Sequence, residues 1–477
     1  MAEKTEIRFG TDGWRGVISR DFTFENVRWV TQAVVDYLKE QGIADKGLVV
    51  GYDRRFLSKE YAEELAGVAA ANGVKVLLGD GYAPTPAISW AVKKREMAGG
   101  IMVTASHNPP AYNGLKFKES FGGSALPETT AAVEDMLHAR QASAEEPLFI
   151  SYNEGVDKGL IETFDPLEDY IEKLKSFVDF DMIKGCGFRV AVDPMYGTGA
   201  RWISRLLREA GLEVKEIRGE ENPGFRGISP EPIDKNLQPL MSLVKEEGFD
   251  VGLATDGDAD RIGAVDGKGE FFNSHRILTL LLRHLVEARG LRGDIIKTVS
   301  GTRMIDKLAE KYNITCHETP IGFKHICKKM LEGDILLGGE ESGGIGITSY
   351  LPERDGILIA LLLVEIMAYN GKRLEAILDD IFDEIGVFCY DRVDLQIEKT
   401  RMDTVRSTLN SFSPKELAGI KVISENRMDG HKFIFEDGSW LLIRPSGTEP
   451  VLRIYAEAST KQKVSALLAE GQRVVKT

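Results

Sequence analysis

Through most of the chain, apolar runs of five or six residues alternate with stretches in which apolar positions recur every three or four residues. This is the pattern of α/β layers. Three blocks of this kind can be laid over one another. The first holds LVVGYD, a helical segment around residues 61–72, VKVLLGD, a second helical segment and GGIMVTASHN. The second holds FRVAVDP, a helix near 201–210, LEVKEIRG, a helix near 237–247 and DVGLATDGDADR. The third holds DIIKTVSGT, a helix near 303–312, ITCHET, a helix near 324–331 and DILLGGEESGG. Identity between the blocks is low, so the repeat is one of elements. Each block still ends alike, on a buried strand followed by Gly with Ser, Asp or Glu. Ligands in open α/β sheets bind beyond the carboxyl ends of strands, so three such ends facing one another predict one cleft.

From about Cys389 the pattern changes to strand, helix, then KFIFEDGSWLLIRPSGTEPVLRIYAEAS and a final helix. Asp437-Gly438 is a hairpin signal. A small α+β domain with an antiparallel sheet follows, with RPSGTEP as a loop between two of its strands. The predicted domains are 1–150, 151–268, 269–388 and 389–477.

Length agrees, since 477 residues exceed one ordinary core and suggest about three or four domains. The composition, 43% hydrophobic and 28% charged, is that of a soluble globular protein. A net charge of -14 argues against a nonspecific grip on nucleic acid or an anionic membrane. It also requires that any phosphorylated substrate meet locally concentrated cations. Cys186, Cys316, Cys327 and Cys389 form no CxxC pair, which fits a reducing cytoplasm better than a disulfide framework or a zinc site. MAEKTEIRFG lacks the apolar core of a signal peptide. The longest apolar run, ILIALLLV at 357–364, is far short of a membrane span and predicts a buried helix.

Asp256-Gly-Asp-Ala-Asp260-Arg261 sets three carboxylates at alternate positions on a turn, with Gly257 allowing the backbone to bend. Hard oxygen ligands so spaced suit Mg2+ or Ca2+. An EF-hand needs Gly sixth and Glu twelfth, where this chain has Arg261 and Gly267, so that reading fails. A solvated acidic turn is the plain alternative, and the preceding apolar DVGLA counts against it. Ser106 and His107 in TASHNPPAYNGLK invite a hydrolase reading, yet no GxSxG elbow surrounds the serine. Neighbours in an extended segment also point to opposite sides, which places His107 badly for deprotonating Ser106. By itself the stretch reads equally well as a turn stiffened by Pro109 and Pro110. Lys116 adds a cation that could return to the loop. Glu340-Glu341-Ser342-Gly343-Gly344 could hold adjacent sugar hydroxyls or be a charged loop with a glycine hinge. Arg444-Pro-Ser-Gly-Thr448, with Arg453 beyond it, offers guanidinium forks, hydroxyls and exposed amides, all donors for a phosphate. No Walker A, zinc-protease or Rossmann fingerprint appears.

Together these motifs resemble the α-D-phosphohexomutase family over nearly the whole chain. TASHNPPAYNGLKFK is similar to its catalytic phosphoserine loop, DGDADR to its metal loop, GEESGG to its sugar loop and RPSGTEP to its phosphate loop. GTDGWRG also matches, with Arg15 at the active-site arginine. The resemblance implies three related α/β three-layer domains and a C-terminal α+β domain of TATA-box-binding-protein-like topology around a central cleft. It implies that Ser106 is phosphorylated in the resting enzyme. Asp256, Asp258 and Asp260 would hold one Mg2+ per chain, completed by a phosphoserine oxygen on Ser106. Lys116 and His107 would be candidates for acid/base work, with Arg15 and Arg261 near the transferred group. Glu340 and Ser342 would grip sugar hydroxyls, and Lys324 and Arg354 would contact the sugar or its phosphate. Arg444, Ser446, Gly447, Thr448 and Arg453 would anchor the phosphate that is not reacting. A hexose phosphate would be the partner and hexose 1,6-bisphosphate the activator; oligomeric state does not follow.

Relatives acting on mannose or glucosamine phosphates often carry His where this chain has Gly344. GEES, Gly322-Phe323-Lys324 and Glu353-Arg354-Asp355-Gly356 are more similar to glucose-type members. The expectation is a phosphoglucomutase, with a dual phosphomannomutase/phosphoglucomutase as the alternative and a glucosamine phosphate mutase behind it. Two rivals from other classes are a metal-dependent sugar phosphatase and a noncatalytic sugar-phosphate sensor. The loops devoted to a second phosphate oppose the first, and the intact Ser106, Lys116 and aspartates oppose the second.

Overall fold

The computed structural model describes residues 7–10, 13–446 and 451–476, the side chains of 399, 475 and 476 excepted. Three of its four sheets repeat one topology. In the first, Leu48–Tyr52 lies between Val76–Gly79 and Gly99–Val103, all parallel, and Tyr112–Glu119 returns antiparallel beside Gly99–Val103. The second arranges Arg189–Asp193, Glu213–Glu216, Val251–Thr255 and Ile262–Val265 in the same way. The third does so with Asp294–Thr298, Cys316–Thr319, Ile335–Gly339 and Ile345–Ile347. The strands LVVGY, GGIMV, VGLAT and ILLGG are buried at every position, as expected of strands covered on both faces.

The repeat has one consequence for function. The loops carrying Ser106, the three aspartates and Glu340 each join the third parallel strand of a block to its antiparallel return strand. They are therefore equivalent loops in three related sheets, at the carboxyl ends where open sheets bind ligands.

The predicted boundary at 150 meets a strand beyond it that belongs to the first sheet. Ile161–Phe164 pairs in parallel with Val76–Gly79 and becomes that sheet's edge. The second and third blocks do not keep separate cores. ILIALLLV lies in the helix Gly356–Asn370, which is buried on all sides from Gly356 to Met367. It packs on the helix Trp202–Glu209 of the second block and on Ser274–Arg283 of the third, merging both into one apolar cluster. A helix apolar all round has to be enclosed in this way. Asp355 caps it, its carboxylate accepting from the Leu358 amide at 2.9 Å.

The C-terminal sheet is antiparallel throughout, in the order Cys389–Gln396, Val451–Ala458, Trp440–Pro445, His431–Phe435, Ile420–Asn426 and Glu416–Leu417. The helices Met402–Ser411 and Lys461–Lys476 pack on it around a separate core. The predicted hairpin turns at Asp437-Gly438, where Gly438 has φ 83°. Among the described residues no helix is long and apolar enough to cross a membrane, and the four cysteines are unpaired.

Candidate active site

The Ser106 loop is shaped by a group the sequence motifs did not single out. Arg55, at the end of the first strand, is buried, and its guanidinium donates to four loop carbonyls. These are Ser106 and Asn108 at 2.6 Å each, Pro109 at 2.9 Å and Tyr112 at 3.0 Å. Asp53 lies 3.2 Å from Arg55 and accepts from the Thr104 hydroxyl at 2.6 Å and the Ser58 hydroxyl at 2.8 Å. The Thr104 oxygen in turn accepts from the Ser106 amide at 2.8 Å. Burial pushes the Asp53 carboxyl up and the Arg55 guanidinium down, and each counteracts the other's shift. The available signal was the DRR that closes LVVGYDRR: a charged pair at a strand's carboxyl end, facing the same cleft as the three motif loops.

This collar holds Ser106 at φ 53°, left-handed backbone that a serine adopts only under constraint. The expectation that Ser106 and His107 point apart assumed extended chain and is corrected here. His107 Nδ1 lies 3.4 Å from Ser106 Oγ. Burial, then Arg261, Arg15, Lys116 and Arg55 in turn, hold the imidazole well below its usual range, so it is neutral at neutral pH. Arg15 donates to Asn108 Oδ1 at 2.6 Å, inside the same loop.

The three aspartates converge on Ser106. Ligand atoms of Asp256, Asp258 and Asp260 lie within 4.8 Å of one another, and all three residues are buried. The Ser106 hydroxyl donates to Asp256 Oδ2 at 2.8 Å. Gly257 is required by this approach, because a Cβ there would meet the Ser106 carbonyl oxygen at 2.5 Å. Lys116 Nζ donates to Asp258 and Asp260 at 2.7 Å each, and Thr85 of the first domain bonds the Asp258 carboxylate. Burial, reinforced by the two neighbouring carboxylates, raises Asp256 well above the usual carboxylate range. Burial works against Asp258 too, but Lys116 and Thr85 outweigh it and hold that group low. Two buried oxygens, Asp258 Oδ1 and Asp260 Oδ1, have no hydrogen-bond partner among the described residues. Unpartnered carboxylate oxygens gathered this closely fit a hard divalent cation. Arg261 borders the cluster, with its amide on Asp256 at 3.0 Å and its buried Nε likewise without a hydrogen-bond partner among the described residues.

The third loop touches the second, Ile262 donating to the Gly343 carbonyl at 3.1 Å. Its two glutamates part company. Glu340 accepts from the Gly322 amide at 2.9 Å; Lys324, two residues beyond Gly322, and Ser342 are half-buried. Glu341 turns to the C-terminal domain, accepting from the Tyr390 hydroxyl at 2.9 Å and from Arg392 at 3.2 Å. Arg354, expected at the sugar or its phosphate, lies against Gly344 of the sugar loop and turns its guanidinium to protein carboxylates. It is buried and pairs with Asp260 at 3.0 Å and Glu353 at 3.2 Å. The physical reason is the buried negative charge of the aspartate loop, which draws the guanidinium inward.

In the C-terminal domain Arg444 and Arg453 are directly opposed across Trp440–Pro445 and Val451–Ala458. Like charges so placed repel, and an anion between them removes the repulsion. Arg444 bonds Asp429 at 2.8 Å, and the other Asp429 oxygen accepts from the Ile321 amide at 2.9 Å, next to Gly322. Arg453 lies 3.8 Å from Asp394, and Ser446 is buried. Gly447 and Thr448 lie outside the described residues.

Comparison with known proteins covers the whole arrangement. Four models of one family match in chain order. Phosphoglucomutase/phosphomannomutase alpha/beta/alpha domain I matches residues 6–144, domain II 168–269, domain III 273–385, and the C-terminal domain 405–471. The chain is 32% identical to a phosphoglucomutase/phosphomannomutase of Thermococcus kodakarensis, over 98% of each. It is 30% identical to a phosphoglucosamine/phosphogalactosamine mutase of Sulfurisphaera tokodaii, again over 98% of each. A solved putative phosphomannomutase from Thermus thermophilus is 38% identical with a TM-score of 0.86, covering 99% of this chain and 100% of that one.

Proposed function

The chain belongs to the phosphoglucomutase/phosphomannomutase family and is a phosphohexomutase, and from that premise we propose that it interconverts α-D-glucose 1-phosphate and glucose 6-phosphate. The cycle runs through phosphorylated Ser106 and a 1,6-bisphosphate. The observation that carries this reading is the Ser106 hydroxyl, 2.8 Å from a carboxylate of a buried three-aspartate cluster and held on a left-handed turn.

Phosphorylated Ser106 brings about two negative charges to three carboxylates, a cluster that persists only with a cation and neighbouring Arg and Lys. Mg2+ held by Asp256, Asp258, Asp260 and a phosphoserine oxygen of Ser106 would supply that charge and withdraw electron density during transfer. The first transfer breaks the bond between Ser106 Oγ and phosphorus as the sugar's free 6-hydroxyl oxygen bonds to phosphorus. The hydroxyl proton passes to the neutral His107, or to Lys116 in its uncharged form, and Ser106 Oγ takes up a proton as it leaves, while Arg15 and Arg261 face the moving group. The bisphosphate then turns over in the cleft, and phosphorus leaves the O1 oxygen for Ser106 Oγ, whose proton passes through the same base to the departing O1. Hexose 1,6-bisphosphate primes an enzyme that has lost its phosphate. Glu340 and Ser342 take the sugar hydroxyls, and Lys324 contacts the sugar or its phosphate. Arg444, Ser446, Gly447, Thr448 and Arg453 hold whichever phosphate is not reacting. The Arg55 collar contributes positioning, which supplies much of the rate in such reactions.

The preference for glucose rests on Gly344. A Cβ at that position would meet Arg354 Cδ at 2.5 Å, so the histidine common in mannose and glucosamine types has no room while Arg354 stays in place. Initial rates with α-glucose, α-mannose and α-glucosamine 1-phosphates, with Mg2+ and a trace of bisphosphate, test the reading. Glucose turnover well above the other two, without phosphate release, is the expected result. Equal mannose turnover makes the enzyme dual, faster glucosamine turnover overturns the preference, and phosphate release alone identifies a hydrolase.

A further inference from the structure

Lys116 and Lys118 lie two residues apart on Tyr112–Glu119 and so leave the strand on one face. Both are buried, and only Lys116 reaches the aspartates. Lys118 Nζ instead donates to Glu353 at 2.5 Å, on the oxygen that also accepts from the Ser124 hydroxyl at 2.7 Å. The other Glu353 oxygen accepts from the Arg354 amide at 2.9 Å and from its Nε at 3.2 Å. Arg354 then meets Asp260 Oδ2 at 3.0 Å, the oxygen already bonded to Lys116.

Five side chains of alternating charge thus form a chain, Lys116, Asp260, Arg354, Glu353 and Lys118, whose two ends leave the same strand. The first domain supplies both lysines, the second the aspartate and the third the other two. A buried ion pair seldom adds stability over an apolar pair of the same shape, and its best-attested use is to fix one arrangement. What is fixed here is Asp260. Its Oδ2 is taken by two cations, and its Oδ1 is left without a partner among the described residues.

We propose that Lys118 and Glu353 are positioning residues of the phosphoryl-transfer site. Their pair holds Arg354, and Arg354 holds Asp260 with one oxygen presented to the metal. Neither residue touches substrate. The inference rests on the metal-loop reading given under Proposed function and extends it to two residues beyond the loop.

The test uses the whole enzyme, with Mn2+ as the metal probe, comparing Lys118→Met, Glu353→Gln and the double variant with the wild type. Glu353→Gln strands the buried Lys118 charge and Lys118→Met leaves Glu353 to Arg354 alone, so both should lower Tm, the first more. The double variant strands none, and its metal-free Tm should return to within a few degrees of the wild type. Its Mn2+ affinity should nevertheless stay roughly 10- to 100-fold weaker, the usual effect of losing an outer partner of a metal ligand. Its kcat should fall while KM for glucose 1-phosphate moves less than about two-fold. If Mn2+ affinity and kcat recover together with Tm, the pair is only structural and the proposal is overturned.

Should the charge variants fail to fold, Ser124→Ala removes one hydrogen bond to Glu353 and no charge. A roughly three-fold loss of Mn2+ affinity then supports the proposal, and unchanged affinity overturns it. Failure of the metal reading itself is distinguishable: wild type and Asp258→Asn would then bind Mn2+ equally poorly.

Discussion

The two ends of the cleft are built to different standards. At the proposed transfer end, Ser106, Lys116 and the three aspartates are each no more than 1% exposed, and the Ser106 and aspartate loops are tied into networks spanning three domains. At the phosphate-holding end, the Arg444 and Arg453 side chains keep 15% and 27% of their surface. That end meets the third block through a small apolar cluster of Val299, Ile321, Tyr390, Trp440, Leu442 and Tyr455 and through polar bonds such as Asp429 to Ile321, Lys432 to Glu318 and Tyr390 to Glu341. The difference follows from the proposed cycle. Both transfers happen at one place, between Ser106 Oγ and a sugar oxygen, so that end gains by being locked. The other end must accept first one phosphate of the bisphosphate and then the other, so it gains by yielding.

Replacing Ser106 should break the comparison most severely. Ser106→Ala is expected to cut turnover by at least about 10^4-fold while glucose 1-phosphate affinity, read by calorimetry, changes only a few-fold. Comparable losses in both quantities would mean that the two ends are not separate in function. Stability gives the next contrast. Arg55→Met strands Asp53 in the interior and should cost about 3–5 kcal/mol in denaturant unfolding. Arg444→Ala, at the yielding end, should cost less than about 1 kcal/mol.

The kinetic counterpart is milder. Removing a charge-assisted contact to the idle phosphate is worth roughly 10- to 100-fold, so Arg444→Ala and Arg453→Ala should raise KM by that factor with kcat nearly kept. A drop confined to kcat would place those arginines at the reacting phosphorus instead. The smallest effect concerns pH. Burial and four nearby cations hold His107 below its usual range, so it stays neutral as pH falls through the ordinary imidazole value. If His107 accepts the proton, the rate should change less than about two-fold between pH 8 and 6, with its acid limb lying lower still. Loss of that limb in His107→Gln, or its survival there and loss in Lys116→Met, decides between the two residues.

The chemistry-bearing loops were legible because each needs a rare composition at a strand end: DGDADR after VGLAT, GEESGG after ILLGG, and TASHNPP after GGIMV. Their equivalence in three sheets was also visible, since periodicity is a local property of the chain. Arg55 was overlooked because a DRR at a strand end looks like any solvated charge cluster until its four carbonyl partners are known. The protein partners of Arg354 were hidden for the converse reason. A cation near a sugar loop in sequence suggests an anionic ligand, and here the anion is the protein's own aspartate. Ser106 and His107 were separated on paper by the alternation of extended chain, which a single left-handed residue cancels.

The sequence by itself determined the four-domain order, the strand and helix pattern, and which loops carry carboxylates, hydroxyls and cations. All of these depend on interactions between neighbours along the chain. Only the tertiary structure decided which charges meet. Lys116 and Lys118 look alike on one strand, yet one reaches the metal loop and the other reaches Glu353, 235 residues away. Electrostatic pairing in a water-excluded interior is set by distance through space, and no periodicity in the chain encodes that distance.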